Sequence, residues 1–102
     1  MGDTGGRSGT TSPNALFRAY PWLEGRLPWA RLGDWPTPVE RVPDVPAGFR
    51  GELWVKRDDR SSDAYGGNKV RKLEYLLADA RERRAGRLIT TGVVGSHHCL
   101  AT

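Results

Sequence analysis

The chain has 102 residues, 37% of them hydrophobic and 27% charged, and a formal net charge of +4 at pH 7. This composition is ordinary for a globular protein, and the absence of a long apolar run excludes a helical membrane protein. The one cysteine, Cys99, excludes an internal disulfide. Together with the absence of a signal-peptide pattern, it predicts a cytoplasmic protein.

Composition divides the chain into three segments. Residues 1–14 are rich in Gly, Ser and Thr, which predicts a disordered tail. Residues 15–50 contain three of the four tryptophans and most of the prolines, without sustained periodicity. We therefore expect an extended arm there that packs by aromatic contacts. Residues 51–102 have the pattern of an α/β fold, which we expect to be only its beginning, because so few elements cannot cover a parallel sheet.

The pattern of residues 51–102 predicts, in chain order, a strand, a helix, a second strand and a second helix. The first strand is predicted at residues 52–56 from aromatic and β-branched content, followed by a polar loop and a helix that begins near Lys69. The second strand is predicted at residues 87–91, and Ser96 is a candidate N-cap for the second helix. A right-handed βαβ unit would bring both strand-to-helix loops to the carboxyl edge of a parallel sheet.

Lys69 occupies an unusual position on the first predicted helix. If successive residues are placed about 100° apart around the helix axis, apolar side chains share the face of Lys69. Most of the charged residues of the helix lie away from that face. The apolar residues on its face are Leu73, Leu76 and Ala80, with Leu77 and Val70 widening the stripe, and those away from it are Arg71, Glu74, Ala78, Arg81 and Glu82. We therefore expect Lys69 to point inward. The alternative is that it buries only its methylene stem and extends its ammonium to water.

An inward lysine suggests a specific chemistry. A buried lysine loses its proton more readily than an exposed one and becomes a nucleophile towards carbonyls, as in Schiff-base enzymes. The predicted sheet edge would bring Lys69 near residues 96–98, whose backbone amides suit a carboxylate. The glycines before Lys69 would allow close backbone approach. The pattern indicates an amino-acid substrate held beside an aldehyde cofactor.

Two runs of sequence resemble a known enzyme family. They are Leu-Trp-Val-Lys-Arg-Asp-Asp at 53–59 and Tyr-Gly-Gly-Asn-Lys-Val-Arg-Lys-Leu-Glu at 65–74, with Pro-Thr-Pro upstream at 36–38. They resemble the start of the 1-aminocyclopropane-1-carboxylate deaminase and D-cysteine desulfhydrase family. That resemblance implies the N-terminal part of a fold type II, tryptophan-synthase-β-like α/β enzyme with three-layer αβα domains. It also implies pyridoxal 5'-phosphate as the cofactor.

The resemblance assigns roles to four residues. Lys69 aligns with the lysine that binds the cofactor covalently, and Asn68 with the supporting residue beside it. Ser96 aligns with the serine that contacts the substrate carboxylate. His98, in the same turn, is a second candidate for substrate binding, and the alternative is that it only caps or packs. His97 stands where the family has an asparagine that bonds the cofactor's phenolic oxygen, and a neutral imidazole can donate one hydrogen bond to the same atom. Leu100 replaces an arginine that is frequent in relatives.

The implied function is deamination or desulfhydration of a small amino acid of the 1-aminocyclopropane-1-carboxylate or D-cysteine type. The products would be a 2-oxo acid and ammonia, with sulfide in the second case. We expect a homo-oligomer when full length, and an inactive piece from these residues alone. The alternative, motivated by His97 and Leu100, is a degenerate or non-catalytic relative that binds the cofactor.

Two other functions are less well supported by the residues. Adjacent residues in His97-His98-Cys99 point in different directions at a helix start, so we predict no metal site. Four arginines near the end of the first helix, Arg81, Arg83, Arg84 and Arg87, could suggest nucleic-acid binding. A solvated helix end explains them, because cations there favour the helix dipole and acidic residues are interspersed. We therefore expect no nucleic-acid and no membrane partner.

Overall fold

The computed structural model of the protein describes residues 12–102, which form a mixed α/β arrangement. Its elements are α1 (Ala15–Ala19), β1 (Val39–Arg41), β2 (Trp54–Lys56), α2 (Lys69–Glu82) and α3 (His97–Ala101), with 3-10 helices at Pro21–Leu23 and Asp58–Arg60. Among these residues, no helix is both long and apolar enough to cross a membrane. The described residues belong to two compact units, 12–31 with 74–88 and 32–73 with 89–102.

In the first unit, Asn14 starts α1. Its Oδ1 accepts hydrogen bonds from the backbone amides of Leu16 (2.8 Å) and Phe17 (3.2 Å). These bonds satisfy two amides that the first turn of a helix leaves without partners. Residues 1–11 of the predicted disordered tail lie outside the described part. Ser12 and Asn14, by contrast, are buried and hydrogen-bonded in the structure, because Asn14 caps α1 and Ser12 Oγ accepts from the amide of Asn14.

The core of the first unit is aromatic. Phe17 packs edge-on against Trp29 and Tyr75, with ring centroids 5.9 and 6.4 Å apart. Trp29 donates its indole N–H to a carboxylate oxygen of Glu74 at 2.8 Å, and Tyr75 exchanges hydrogen bonds with the Asn14 side chain. Burying a carboxylate costs free energy unless a donor compensates. The indole supplies that donor, and Glu74 is only 4% exposed.

The second unit contains a two-stranded sheet. The predicted strand at residues 52–56 is observed as β2, and it pairs antiparallel with β1 in a register that places Glu40 opposite Val55. β1 was not predicted, since it lies in the segment expected to be an extended arm. The predicted parallel βαβ unit is therefore not observed in residues 12–102, where β2 pairs with β1 alone.

The second predicted strand, at residues 87–91, is also not observed. Within the described residues this stretch has no strand partner and no regular structure. Ile89 and Val93 are each 84% exposed. A strand requires a neighbour to satisfy its backbone groups, and β-branched residues alone do not make one.

The predicted helix is confirmed as α2, but its buried face differs from the predicted face. Val70, Leu73, Glu74 and Ala78 are buried, whereas Leu76 is 53% exposed. The buried side is therefore rotated from the Lys69–Leu76–Ala80 stripe towards Glu74, by roughly one residue's angular step of about 100°. The predicted buried face was wrong because the angular pattern assigned Glu74 to the surface. The hydrogen bond from Trp29 makes the burial of Glu74 possible.

The cap of α1 gives a test of this fold. Asn14→Ala removes the hydrogen bonds to two helix amides and to Tyr75, so we expect it to lower the free energy of unfolding by about 1–2 kcal/mol. Urea denaturation followed by tryptophan fluorescence measures this. Asn14→Asp is the matched control, since it keeps the cap oxygen. Equal stability of the alanine variant and the wild type would contradict the role of Asn14.

Candidate functional site

The loop before α2 is held by hydrogen bonds to both sides of Gly67. Its amide donates to the carbonyl oxygen of Asp58 at 2.7 Å, and its own carbonyl accepts from Ser61 Oγ at 2.7 Å. Ser61 is fully buried, and its carbonyl accepts from the amide of Asp34 at 2.7 Å. The residue two positions before Lys69 is therefore fixed to the 3-10 helix at Asp58–Arg60.

Both glycines of the Gly-Gly-Asn-Lys run are required by this geometry. A Cβ at position 66 would lie 2.0 Å from the carbonyl oxygen of Asp59, which is an impossible contact. Gly67 has φ +116°, a conformation that residues with a side chain rarely adopt. The motif is explained here by backbone packing at the start of α2.

Arg71 binds Asp58 through two hydrogen bonds. Its Nε and Nη2 donate to the two carboxylate oxygens at 3.0 and 2.8 Å, and Thr37 Oγ1 donates to Asp58 Oδ1 at 2.6 Å. These bonds, chiefly that from Arg71, lower the pKa of the Asp58 carboxyl from 3.8 to about 2. A bidentate arginine–carboxylate pair fixes orientation as well as charge. We call this pair the Asp58–Arg71 clamp.

Further contacts surround the clamp. Lys56 Nζ donates to the carbonyl and the hydroxyl of Thr37, both at 2.7 Å. The guanidinium carbon of Arg71 lies 4.3 Å from the centroid of the Trp35 ring, a cation–π contact. The β2 strand, the Pro-Thr-Pro segment and the first turn of α2 are thus joined through a few polar side chains.

Lys69 is the first residue of α2 and is partly exposed. The prediction that it points inward is therefore not met in the described residues, because the buried face of α2 lies to one side of it. Its side chain has no hydrogen bond or ion pair with any residue in 12–102, so its amine remains available. Asn68 is exposed, and its carbonyl accepts from the amide of Arg71 at 3.2 Å.

The second part of the predicted site lies at the start of α3. Ser96 is the N-cap, as predicted, and its Oγ accepts from the amide of Cys99 at 3.3 Å. Hydrogen bonds with Ser96 and then Thr90 lower the pKa of the Cys99 thiol. The Ser96 hydroxyl is therefore partly engaged by its own helix.

Tyr65 joins the two parts of the predicted site. Its hydroxyl is hydrogen-bonded to Nδ1 of His97, although Tyr65 precedes Lys69 by four residues and His97 belongs to α3. When the phenol donates to Nδ1, the imidazole is neutral and carries its proton on Nε2. His97 then presents an N–H donor at Nε2.

His98 contributes a polar atom that lacks a partner. Its Nδ1 is buried and makes no hydrogen bond within the described residues. Buried polar atoms are normally satisfied, so this nitrogen is suited to a ligand or a water.

An open depression elsewhere in the second unit does not contain the predicted site residues. It has a volume of about 570 Å³ and is lined by Asp34, Pro36, Pro38, Asp59, Arg60, Ser62 and Asp63. No group of three or more potential metal-binding side chains occurs in residues 12–102.

The sequence analysis missed Asp58, Ser61 and Tyr65. Asp58 and Arg71 both lie inside the runs that resemble the family, but Arg71 was interpreted as a surface cation. Their opposite charges could have indicated an ion pair, because Asp58 comes shortly after a predicted strand and Arg71 lies in the first turn of the next helix. Nothing in the sequence alone links Tyr65 with His97, because they are 32 residues apart.

The clamp predicts a specific pH dependence of stability. The pKa of Asp58 in the folded protein is lowered to about 2. The ionised carboxylate therefore contributes fully to the free energy of unfolding above about pH 4, and this contribution is lost as the pH falls from about 4 to about 2. We expect Asp58→Asn to lower the free energy of unfolding by roughly 1–3 kcal/mol at pH 7. That difference should vanish near pH 2 in urea denaturation series.

The control for this series is Asp59→Asn, which removes the neighbouring carboxylate from an exposed pair with Arg57. It should change stability less than Asp58→Asn, since exposed ion pairs contribute little. A difference for Asp58→Asn that persists unchanged to pH 2 would contradict the assigned pair.

The Tyr65–His97 hydrogen bond predicts the tautomer of His97. In ¹⁵N NMR spectra of the wild type, Nδ1 should show the shift of an unprotonated acceptor and Nε2 that of an N–H donor. Tyr65→Phe should move His97 towards a mixture of tautomers, because the fixed donor is lost. Tyr75→Phe is the matched control. An unchanged His97 spectrum in Tyr65→Phe would show that the bond does not select the tautomer.

Similarity searches place the chain among known enzymes. It is 48% identical over 73 residues to the mitochondrial bifunctional D-cysteine desulfhydrase/1-aminocyclopropane-1-carboxylate deaminase of Arabidopsis thaliana, covering 70% of this chain and 18% of that protein. It is 44% identical over 77 residues to the D-cysteine desulfhydrase of Salmonella newport, covering 76% of this chain and 24% of that protein.

A third relative, from Pyrococcus furiosus, is provisionally named a 1-aminocyclopropane-1-carboxylate deaminase and is 42% identical over 80 residues. That match covers 78% of this chain and 24% of the relative. No family model and no solved structure matches the chain. The chain thus spans about a quarter or less of the length of the relatives it matches. Over about three quarters of its own length, this chain is similar to proteins named 1-aminocyclopropane-1-carboxylate deaminase or D-cysteine desulfhydrase.

Proposed function

We propose that this chain supplies the lysine-bearing part of a pyridoxal-phosphate-dependent deaminase or desulfhydrase. The observation that carries the proposal is the position of Lys69. It follows a loop fixed by Asp58 and Ser61, and the Tyr65–His97 contact brings α3 to the same loop. The names of the relatives support a deaminase or desulfhydrase class. The cofactor and the substrate are our inference.

The residues present fit the proposed cofactor. Lys69 has an amine without a protein partner in the described residues, which is the group that an aldehyde requires. His97 can donate from Nε2 to the phenolic oxygen of the cofactor, and Asn68 lies exposed beside the lysine. When bound, pyridoxal phosphate supplies an electron sink at the α-carbon of an amino acid. Lys69 Nζ would hold the cofactor and carry a proton to or from the substrate.

We assign the substrate carboxylate to α3. Ser96 Oγ and the unsatisfied Nδ1 of His98 provide the polar atoms, and a protonated Nδ1 would donate to the carboxylate. Small amino acids of the 1-aminocyclopropane-1-carboxylate or D-cysteine type all carry this carboxylate, beside the amino group that would react with the cofactor. The expected products are a 2-oxo acid and ammonia, with sulfide from D-cysteine.

The activity belongs to a protein of the relatives' length, of which this chain corresponds to about a quarter. We also propose a cytoplasmic homo-oligomer without nucleic-acid or membrane partners. A second candidate is a relative that binds the cofactor without turnover. Two departures favour it: His97 in place of asparagine, and Leu100, which is 73% exposed, in place of arginine.

The test is cofactor trapping on the full product of the reading frame that encodes this chain. The protein is incubated with pyridoxal phosphate, reduced with borohydride and digested for peptide mapping. We expect one pyridoxyl group on Lys69, with its absorbance band absent in Lys69→Ala. Lys72→Ala is the matched control, because Lys72 is an exposed lysine of the same helix.

An unmodified Lys69 in the folded protein would contradict the proposed function. Turnover separates the two candidates once the cofactor is found. Release of ammonia, or of ammonia and sulfide, identifies the enzyme, and trapping at Lys69 without release from either amino acid identifies the non-catalytic relative.

A further inference from the structure

We propose that Asp58 is a positioning residue for Lys69 and acts through Arg71. This inference rests on the proposed function, because it assigns a purpose to the fixed first turn of α2. Asp58 does not need to touch cofactor or substrate for this role. It would determine where the amine of Lys69 is held.

The clamp and the lysine lie on opposite sides of one helical turn. Lys69 and Arg71 are two positions apart, which corresponds to about 200° around the helix axis. The carboxylate of Asp58 holds the Arg71 side at 2.8 and 3.0 Å. These bonds engage the Arg71 side of the turn and leave the Lys69 side chain outside the clamp.

Asp58 fixes the same turn a second time through its backbone. Its carbonyl accepts the amide of Gly67 at 2.7 Å, so one residue contacts the chain on both sides of Lys69. The backbone bond sets the position at which the helix begins. The side-chain bonds oppose rotation of α2 about its axis, which would move Lys69 Nζ. Trp35 stacks on the guanidinium and restricts it further.

A fixed turn matters because condensation of an amine with an aldehyde needs alignment. The lone pair of Nζ must approach the carbonyl carbon at about 3–3.5 Å, and preorganised geometry increases the rate of such steps. Residues that support a reacting group can change function without any contact with the ligand. Loosening the clamp should therefore reduce the reactivity of Lys69 more than that of other lysines.

The experiment compares Lys69 with Lys72 in the same molecules. The full product of the reading frame is exposed to pyridoxal phosphate for short times, and borohydride is added. Condensation releases one water, and hydride delivered to the new C=N bond makes the link permanent. Peptide mapping then gives the ratio of the labelling rates at Lys69 and Lys72, and the circular dichroism spectrum shows that each variant is folded.

We expect the wild-type ratio to exceed about tenfold and Asp58→Asn to reduce it several-fold, within the range that preorganisation supplies. Arg71→Lys keeps the charge but loses the bidentate bond, so it should also reduce the ratio. This second variant replaces Asp58→Asn in the test if Asp58→Asn does not fold. Asp59→Asn is the matched control and should retain the wild-type ratio.

The two proposals fail differently. If Lys69 is not labelled preferentially in the wild type, the proposed function fails and the positioning role fails with it. If the wild type is selective and folded Asp58→Asn or Arg71→Lys retains the same ratio, the proposed function stands and the positioning role of Asp58 is overturned. A loss of labelling at both lysines alike would reflect the fold and would also contradict the inference.

Discussion

The bidentate bond between Arg71 and Asp58 is the interaction on which the candidate site depends. It joins Asp58, two residues after the end of β2, to the first turn of α2, and Thr37 adds a third hydrogen bond to the carboxylate. A charged pair with this geometry is directional, so it determines orientation as well as proximity. We propose that it helps to set the position of Lys69, because rotation of α2 about its axis would break the pair.

The glycines and the clamp act together. Gly66 leaves no room for a side chain against Asp59, and Gly67 turns the chain so that its amide meets Asp58. The same short loop therefore explains the Gly-Gly, the Asp and the Arg of the motif by packing and hydrogen bonding. Lys69 and Asn68 need a different explanation, since neither side chain bonds to the described protein, and ligand chemistry provides one.

The local features could be predicted from the sequence, whereas the tertiary arrangement could not. The helix from Lys69, the strand at residues 54–56 and the cap by Ser96 follow from periodicity, β-branched content and capping preference. The prediction of the buried face of α2 was wrong because the indole of Trp29, 45 residues away in sequence, allows Glu74 to be buried. The strand at residues 87–91 was wrong because pairing depends on a neighbour, which the residues themselves do not encode. The Tyr65–His97 contact is equally non-local.

The central claim is that Lys69 holds pyridoxal phosphate, and the most direct measurement is a crystal structure of the full product of the reading frame grown with that cofactor. We predict continuous density from Lys69 Nζ to the cofactor, with Nε2 of His97 within hydrogen-bond distance of the phenolic oxygen and the Asp58–Arg71 clamp intact. A cofactor bound elsewhere, or Lys69 extended into solvent in a protein saturated with pyridoxal phosphate, would contradict the account.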